Sequence, residues 1–215
     1  MRSTVSLRVA WLVAAIALGA CAPAEGSGVE RDEARAVPAF DGVHVADGIR
    51  AEVRADGVQE LRVVTDDDLW ELITTTVDDG ALRLRTEGPI EPTIGPTVTV
   101  GVEALAFLSA RGDETSALAV GVDADRFGVA ASDGAAVEAE GRCDRLVLVA
   151  SGEGRAALSS LACRTVSVDV QGGAEVAVSA TERVEIRASG GSVIRVTGGA
   201  TIDEVFVEDA EIVAE

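Results

Sequence analysis

Between residues 118 and 214, short runs of small and branched apolar residues return at a nearly constant interval, and this recurrence constrains the fold more than any other feature. Phe127, Val129 and Ala131 align with Leu146, Leu148 and Ala150, then with Val166, Val168 and Val170, then with Val184, Ile186 and Ala188, at steps of 19, 20 and 18 residues. A second column follows each turn: Leu118 and Val120, Val137 and Ala139, Ala156 and Leu158, Val176 and Val178, Ile194 and Val196, Ile212 and Ala214. Asp133-Gly134, Gly152-Glu153-Gly154, Gly172-Gly173 and Gly190-Gly191 stand between the columns. A unit of this size supplies two short strands and cannot bury its apolar row alone. Stacked as parallel rungs about 4.8 Å apart, the units bury those rows as continuous ladders. Ala, Val and Leu suit a narrow interior, Arg, Glu, Asp and Ser fill the alternate outward positions, and the Gly pairs allow the positive φ of a sharp corner. The pattern predicts an all-β chain, a right-handed parallel β-helix (solenoid) of about five or six rungs, its repeat covering about residues 102–215. An antiparallel β-sandwich is the competing architecture, and the matched columns favour the solenoid.

Residues 40–90 carry the same alternation without the period. Val43, Val45, Ile49, Val53, Leu61, Val63, Leu82 and Leu84 fall in short runs punctuated by Asp41-Gly42, Asp47-Gly48, Asp56-Gly57 and Asp79-Gly80, which reads as strands and tight connections. Asp67-Asp68-Leu69-Trp70-Glu71-Leu72-Ile73 breaks the pattern with an acidic start and apolar residues at helical spacing, predicting one short helix with Trp70 packed. These strands and the helix are expected to cap one open end of the solenoid. At the other end, Glu208-Asp209-Ala210-Glu211 sets charges beside the last strand, where they oppose edge-to-edge pairing.

The first 20 residues read as an export signal. Arg2 and Arg8 give a positive start, Val9 to Leu18 is apolar, and Leu18-Gly19-Ala20-Cys21 follows. The apolar run is too short for a span, which takes about 20 residues. Leucine, two small residues and then cysteine is a lipobox, which predicts a lipid on the Cys21 thiol, with acyl chains such as palmitate, and Cys21 as first mature residue. An ordinary signal peptide with an incidental Cys21 is the alternative. The organisation expected is a lipoprotein signal peptide over 1–20, a flexible tether over 21–37 and a β-helix domain over 38–215. Two or three acyl chains hold where one does not. Ala22 does not supply the Asp associated with inner-membrane retention, so the expected address is the cell envelope, lipid-anchored at the outer membrane on its periplasmic or surface face.

The net charge is -19 and all 18 basic residues are Arg. An acidic surface repels phosphate backbones, which argues against a nucleic-acid partner. Aromatic residues make up 3% and Tyr is absent, which argues against a carbohydrate cleft lined by stacking rings.

With these residues in view, the chain resembles the family of bacterial envelope proteins called putative auto-transporter adhesin, head GIN domain. The resemblance rests on Phe40-Asp41-Gly42-Val43-His44-Val45, on the Asp-rich turn with its short helix, on Asp79-Gly80-Ala81-Leu82-Arg83-Leu84, and on corners such as Ser151-Gly152-Glu153-Gly154 and Ser189-Gly190-Gly191-Ser192. Val170-Gln171-Gly172-Gly173 departs from the family's corner pattern. The likeness covers about residues 38–215 and implies a β-helix and an adhesive role, without catalytic residues or a ligand to carry over.

Cys143 lies three residues before Leu146, and Cys163 three before Val166, so they occupy equivalent places on adjacent rungs. Rung spacing falls within the Cα separation of about 4.4–6.8 Å that a disulfide tolerates, and export permits the bond; two stacked free thiols are the alternative. No metal site or cofactor is expected: His44 is the only His, no close Cys pair exists, and Asp66-Asp67-Asp68 lacks the spacing of a calcium loop and reads as a solvated turn. A Ser-His-Asp triad would have to use His44, and no G-x-S-x-G elbow surrounds a serine. Arg111-Gly112-Asp113 spells an integrin-type tripeptide but falls where the repeat places a corner. The sequence therefore points to a non-catalytic lipoprotein presenting its β-helix surface to a protein or glycan partner. A polysaccharide-active lyase or hydrolase on the same fold is the alternative, marked by a groove of clustered acids and bases.

Overall fold

The computed structural model describes residues 22–214. Strands β1 (Ala24–Glu25) and β2 (Glu30–Ala34) precede β3 (Gly42–Ala46), β4 (Arg50–Arg54) and β5 (Glu60–Asp66). A 3₁₀ turn, Trp70–Leu72, leads to β6 (Ile73–Asp78), β7 (Ala81–Thr86), β8 (Ile90–Glu91), β9 (Thr97–Gly101) and β10 (Phe107–Arg111). Five long strands follow: β11 (Ser116–Ser132), β12 (Ala136–Ser151), β13 (Arg155–Val170), β14 (Glu175–Thr197) and β15 (Thr201–Ala214). Together they form a β-solenoid of about five turns.

Each of β11 to β13 bends midway. The register with the next strand shifts between Ala119 and Val122, between Glu138 and Gly141, and between Leu158 and Ala162, and these irregularities mark the bend. First halves stack in parallel on one face, which continues through β4 and β9 to antiparallel β5 and β2. Second halves stack on another face, which continues through β10, β3 and β7 to antiparallel β6. We call these the leading and trailing faces.

The inward rows are the columns anticipated from the repeat. On the trailing face Leu82, Val43, Leu108, Val129, Leu148, Val168 and Ile186 are successive register partners, and all are buried. On the leading face Val63, Val98, Ala51, Ala117, Val137, Ala156 and Val176 do the same. The Val193 amide bonds the Ala174 carbonyl as the Glu175 amide bonds Gly154, so Ile194 continues the row over Val176. One member differs from the expectation. Ala117 and Ala119, rather than Leu118 and Val120, face inward on the first full rung. The segment Ala117-Leu118-Ala119-Val120 is apolar in both phases of a strand, so alternation gave no phase, and a one-residue slip exchanges faces.

The corners between rungs also stack. Asp133 and Gly134 both have positive φ (56° and 83°), and their amides bond the carbonyls of Ser151 and Gly152 on the next rung. The positive φ favours glycine at Gly134, and a Cβ there would also push aside the Asp113 carboxylate of the rung beside it.

Two expectations for the N-terminal part need correction. The segment expected to form a flexible tether, residues 21–37, is docked over its described length. β1 pairs with β8, and Glu30–Ala34 pairs antiparallel with Arg62–Asp66. The buried Asp66 carboxylate accepts the amide of Gly28 at 2.7 Å on one oxygen and those of Thr93 and Ile94, both at 2.9 Å, on the other. Ser27 bonds Asp68 and Asp67. Arg31 on β2 and Arg35 just beyond it each hold a guanidinium 4.1 Å from the centre of the Trp70 ring, and Arg35 donates to the Trp70 and Ile73 carbonyls. Nor does a helix form at 67–73. Three residues of 3₁₀ turn suffice to bury Leu69 and Ile73, and Ile73 enters β6 at once, where pairing with β7 takes over.

Candidate functional site

The outward side of the trailing face carries the chain's most distinctive surface. Arg126, Arg145, Thr165, Arg183 and Thr201 are successive register partners immediately ahead of the inward ladder. The neighbouring outward column runs Phe107, Gly128, Val147, Ser167, Glu185 and Asp203. Side chains of these two columns line an open groove of about 560 Å³ from Arg126 to Arg183. Arg183 is held by Asp203 at 2.5 Å and Glu185 at 3.5 Å. Three other coil arginines reach across rungs to acids, Arg111 to Asp133 at 2.8 Å, Arg142 to Asp123 at 2.5 Å and Arg164 to Glu182 at 3.0 Å, whereas Arg155, Arg187 and Arg195 do not among the described residues. Arg126 and Arg145 make no ion pair among the described residues. The leading face has a smaller groove of about 250 Å³ whose charged side chains, Arg50, Glu52 and Glu138, are of mixed sign.

Beside the arginine groove, the Phe107 ring leans over Gly128, where a Cβ would meet it at 2.6 Å. The His44 ring centre is 5.1 Å from that of Phe107, and His44 Nδ1 is 2.7 Å from Ser109 Oγ. Burial holds the His44 pKa below its ordinary value, and the charge of Arg83, its partner on β7, lowers it further. A triad needs a carboxylate on the second imidazole nitrogen to orient the ring and stabilise its protonated form. Here the strand partners of His44 are Arg83 and Ser109, and an arginine opposes protonation. The His–Ser contact thus lacks the electrostatics of a general base.

The other residues singled out from the sequence fall as follows. Cys21 and the export signal lie outside the described residues. Cys143 and Cys163 are register partners with Cα atoms 4.5 Å apart and sulfurs joined at 2.01 Å, between Ala124 and Ala180 in the same column. Asp66, Asp67 and Asp68 are turned to the N-terminal segment and the 93–94 loop, and no metal-binding cluster forms among the described residues. Arg111-Gly112-Asp113 is a corner, with Gly112 at φ 93° and Arg111 engaged by Asp133. The arginine column was missed, although it leaves a trace: Arg stands directly before Phe127, Leu146 and Val184, the first inward residue of three units.

A model of the family described as "Putative auto-transporter adhesin, head GIN domain" matches residues 39–200. No curated protein matches the chain. Solved structures share its fold. A putative adhesin from Bacteroides fragilis superposes with a TM-score of 0.69 at 17% identity, covering 89% of this chain and 99% of its own. A putative adhesin from Parabacteroides merdae gives 0.63 at 13% identity, with 89% and 98% covered. A putative lipid binding protein from Parabacteroides distasonis gives 0.57 at 15% identity, with 90% and 100% covered. No helix among the described residues is long and apolar enough to cross a membrane.

Proposed function

Because the chain belongs to the putative auto-transporter adhesin, head GIN domain family, we propose that it is an envelope protein whose solenoid is a binding module rather than a catalyst, anchored by lipid on Cys21. The observation that carries the binding reading is the trailing-face groove, which is open, lined by guanidinium and hydroxyl groups, and without a nucleophile–base–acid set. A polysaccharide lyase or hydrolase on this surface would need an acid or base whose environment moves its pKa toward its task. The groove's one carboxylate, Glu185, is spent on Arg183. In this reading the antiparallel strands β2, β5 and β6 close the first end of the coil, and the cystine between Cys143 and Cys163 forms on export.

Fed a clickable palmitate, cells making the wild-type chain should label it, and cells making Cys21→Ser should not. Purified protein incubated with envelope polysaccharide should leave chain lengths unchanged. Labelling of Cys21→Ser would remove the anchor, and release of shortened or unsaturated products would overturn the non-catalytic reading.

A further inference from the structure

We propose that the arginine groove of the trailing face binds an anionic polysaccharide through its carboxylate groups, an inference that rests on the binding-module reading and names its ligand class. Among the described strand pairs, Arg126 opposite Arg145 is the one place where arginine faces arginine. Like charges directly opposite on neighbouring strands are unfavourable. The chain holds 37 acidic residues against 18 arginines, so a relieving acid is within easy reach of its composition. Each of the two follows an acid directly, Asp125 before Arg126 and Asp144 before Arg145, but neither acid pairs with them among the described residues, and Asp144 leans toward Arg164 at 3.8 Å. An external anion between the two guanidiniums would remove the repulsion.

The shape of the groove argues for a chain. Its charged groups recur along the solenoid axis over several rungs, at Arg126, Arg145 and Arg183, with a threonine at the intervening rung. Rungs about 4.8 Å apart are close to the rise of one sugar in an extended polymer. A planar guanidinium matches a carboxylate in bidentate fashion. Thr165 and Ser167 offer hydroxyls to sugar hydroxyls, and the half-buried Val147 offers a small apolar floor to the sugar ring's C–H face. Recognition of this kind needs no stacking rings, which the chain lacks. The groove is open and without an enclosed apolar slot for acyl chains, which disfavours an anionic lipid. The overall charge of -19 opposes any polyanion at long range. At physiological salt that field decays over about 8 Å, so contact within the groove decides.

The test uses the chain from residue 22 onward, so that the docked N-terminal segment is kept. Affinity electrophoresis at physiological salt compares polygalacturonate, a neutral glucan of similar length, and phosphatidylglycerol vesicles in a parallel flotation assay. Polygalacturonate should retard the protein and the other two should not. Arg126→Ala with Arg145→Ala removes only exposed side chains and should weaken retention at least tenfold, with unfolding midpoints unchanged or raised. Arg155→Ala, on the leading face, should leave retention unchanged. Retention by polygalacturonate that survives the double variant would overturn the site while leaving the binding module intact. Absence of retention, equal retention by the neutral glucan, or flotation with vesicles would overturn the ligand class. Shortening of the polymer, lost in the double variant, would support the groove and overturn the non-catalytic reading.

Discussion

From residue 116 onward one rung is joined to the next by the same means each time: a parallel ladder, inward columns made mostly of Ala, Val, Leu and Ile, and a corner rich in glycine. Residues 22–101 continue the two parallel ladders through β3, β7, β4 and β9, but end them with antiparallel pairings by β2, β5 and β6 and add polar anchors that each occur once. Leu148 has Val129 on one side and Val168 on the other, and any of the three could be another aliphatic residue of similar size. Asp66 receives amides from Gly28, Thr93 and Ile94, and only a carboxylate in that place satisfies them all. Repetition spreads stability over many interchangeable contacts, and the N-terminal part shares that core but adds a few contacts that are not interchangeable.

Three measurements would break or sharpen this contrast. The largest effect is expected in the coil, where the Cys143–Cys163 bond is its one covalent rung-to-rung link. Cys143→Ser with Cys163→Ser should lower stability by up to about 3 kcal/mol in the chain-entropy model, read as a shift in the urea midpoint. No shift would mean that the ladders alone set the stability of the coil. Next is Asp66→Ala, which takes the acceptor from three part-buried amides and should cost about 2 kcal/mol. Trypsin should then cut at Arg31 or Arg35 well before it attacks the coil; cleavage as slow as in wild type would show that β2 is held by its strand pairing alone. The smallest effect is from His44. Its pKa is lowered in the fold, so the unfolded chain takes up the proton more readily. The stability contributed by the neutral ring is complete above the ordinary value of 6.5 and is lost as pH falls from there through the lower folded value. Wild type should therefore lose stability between pH 7 and 5.5 and His44→Asn should lose less, since no other His titrates there. Parallel profiles would remove His44 from the account.

The same contrast explains what could be read from the sequence. The coil was legible because its information is periodic: Phe127, Leu146, Val166 and Val184 announce one another, and Cys143 and Cys163 inherit their neighbourhood from that register. Where both phases are apolar, at Ala117 to Val120, the periodic signal lost its phase. The docking of residues 22–37 was not legible. Ser27 and Gly28 meet partners 38 to 41 residues away, and nothing in a stretch of small and charged residues announces a distant carboxylate. The arginine column lay between these cases, repeated in the text but at an outward position, where charge is ordinarily read as solvation.

The seating of the N-terminal segment bears on how the molecule stands. Ala24 is already fixed to Ile90, only three residues beyond Cys21. Even fully extended, three residues span roughly 10 Å. The chain ahead of Ala24 therefore leaves the body at its β1–β8 side.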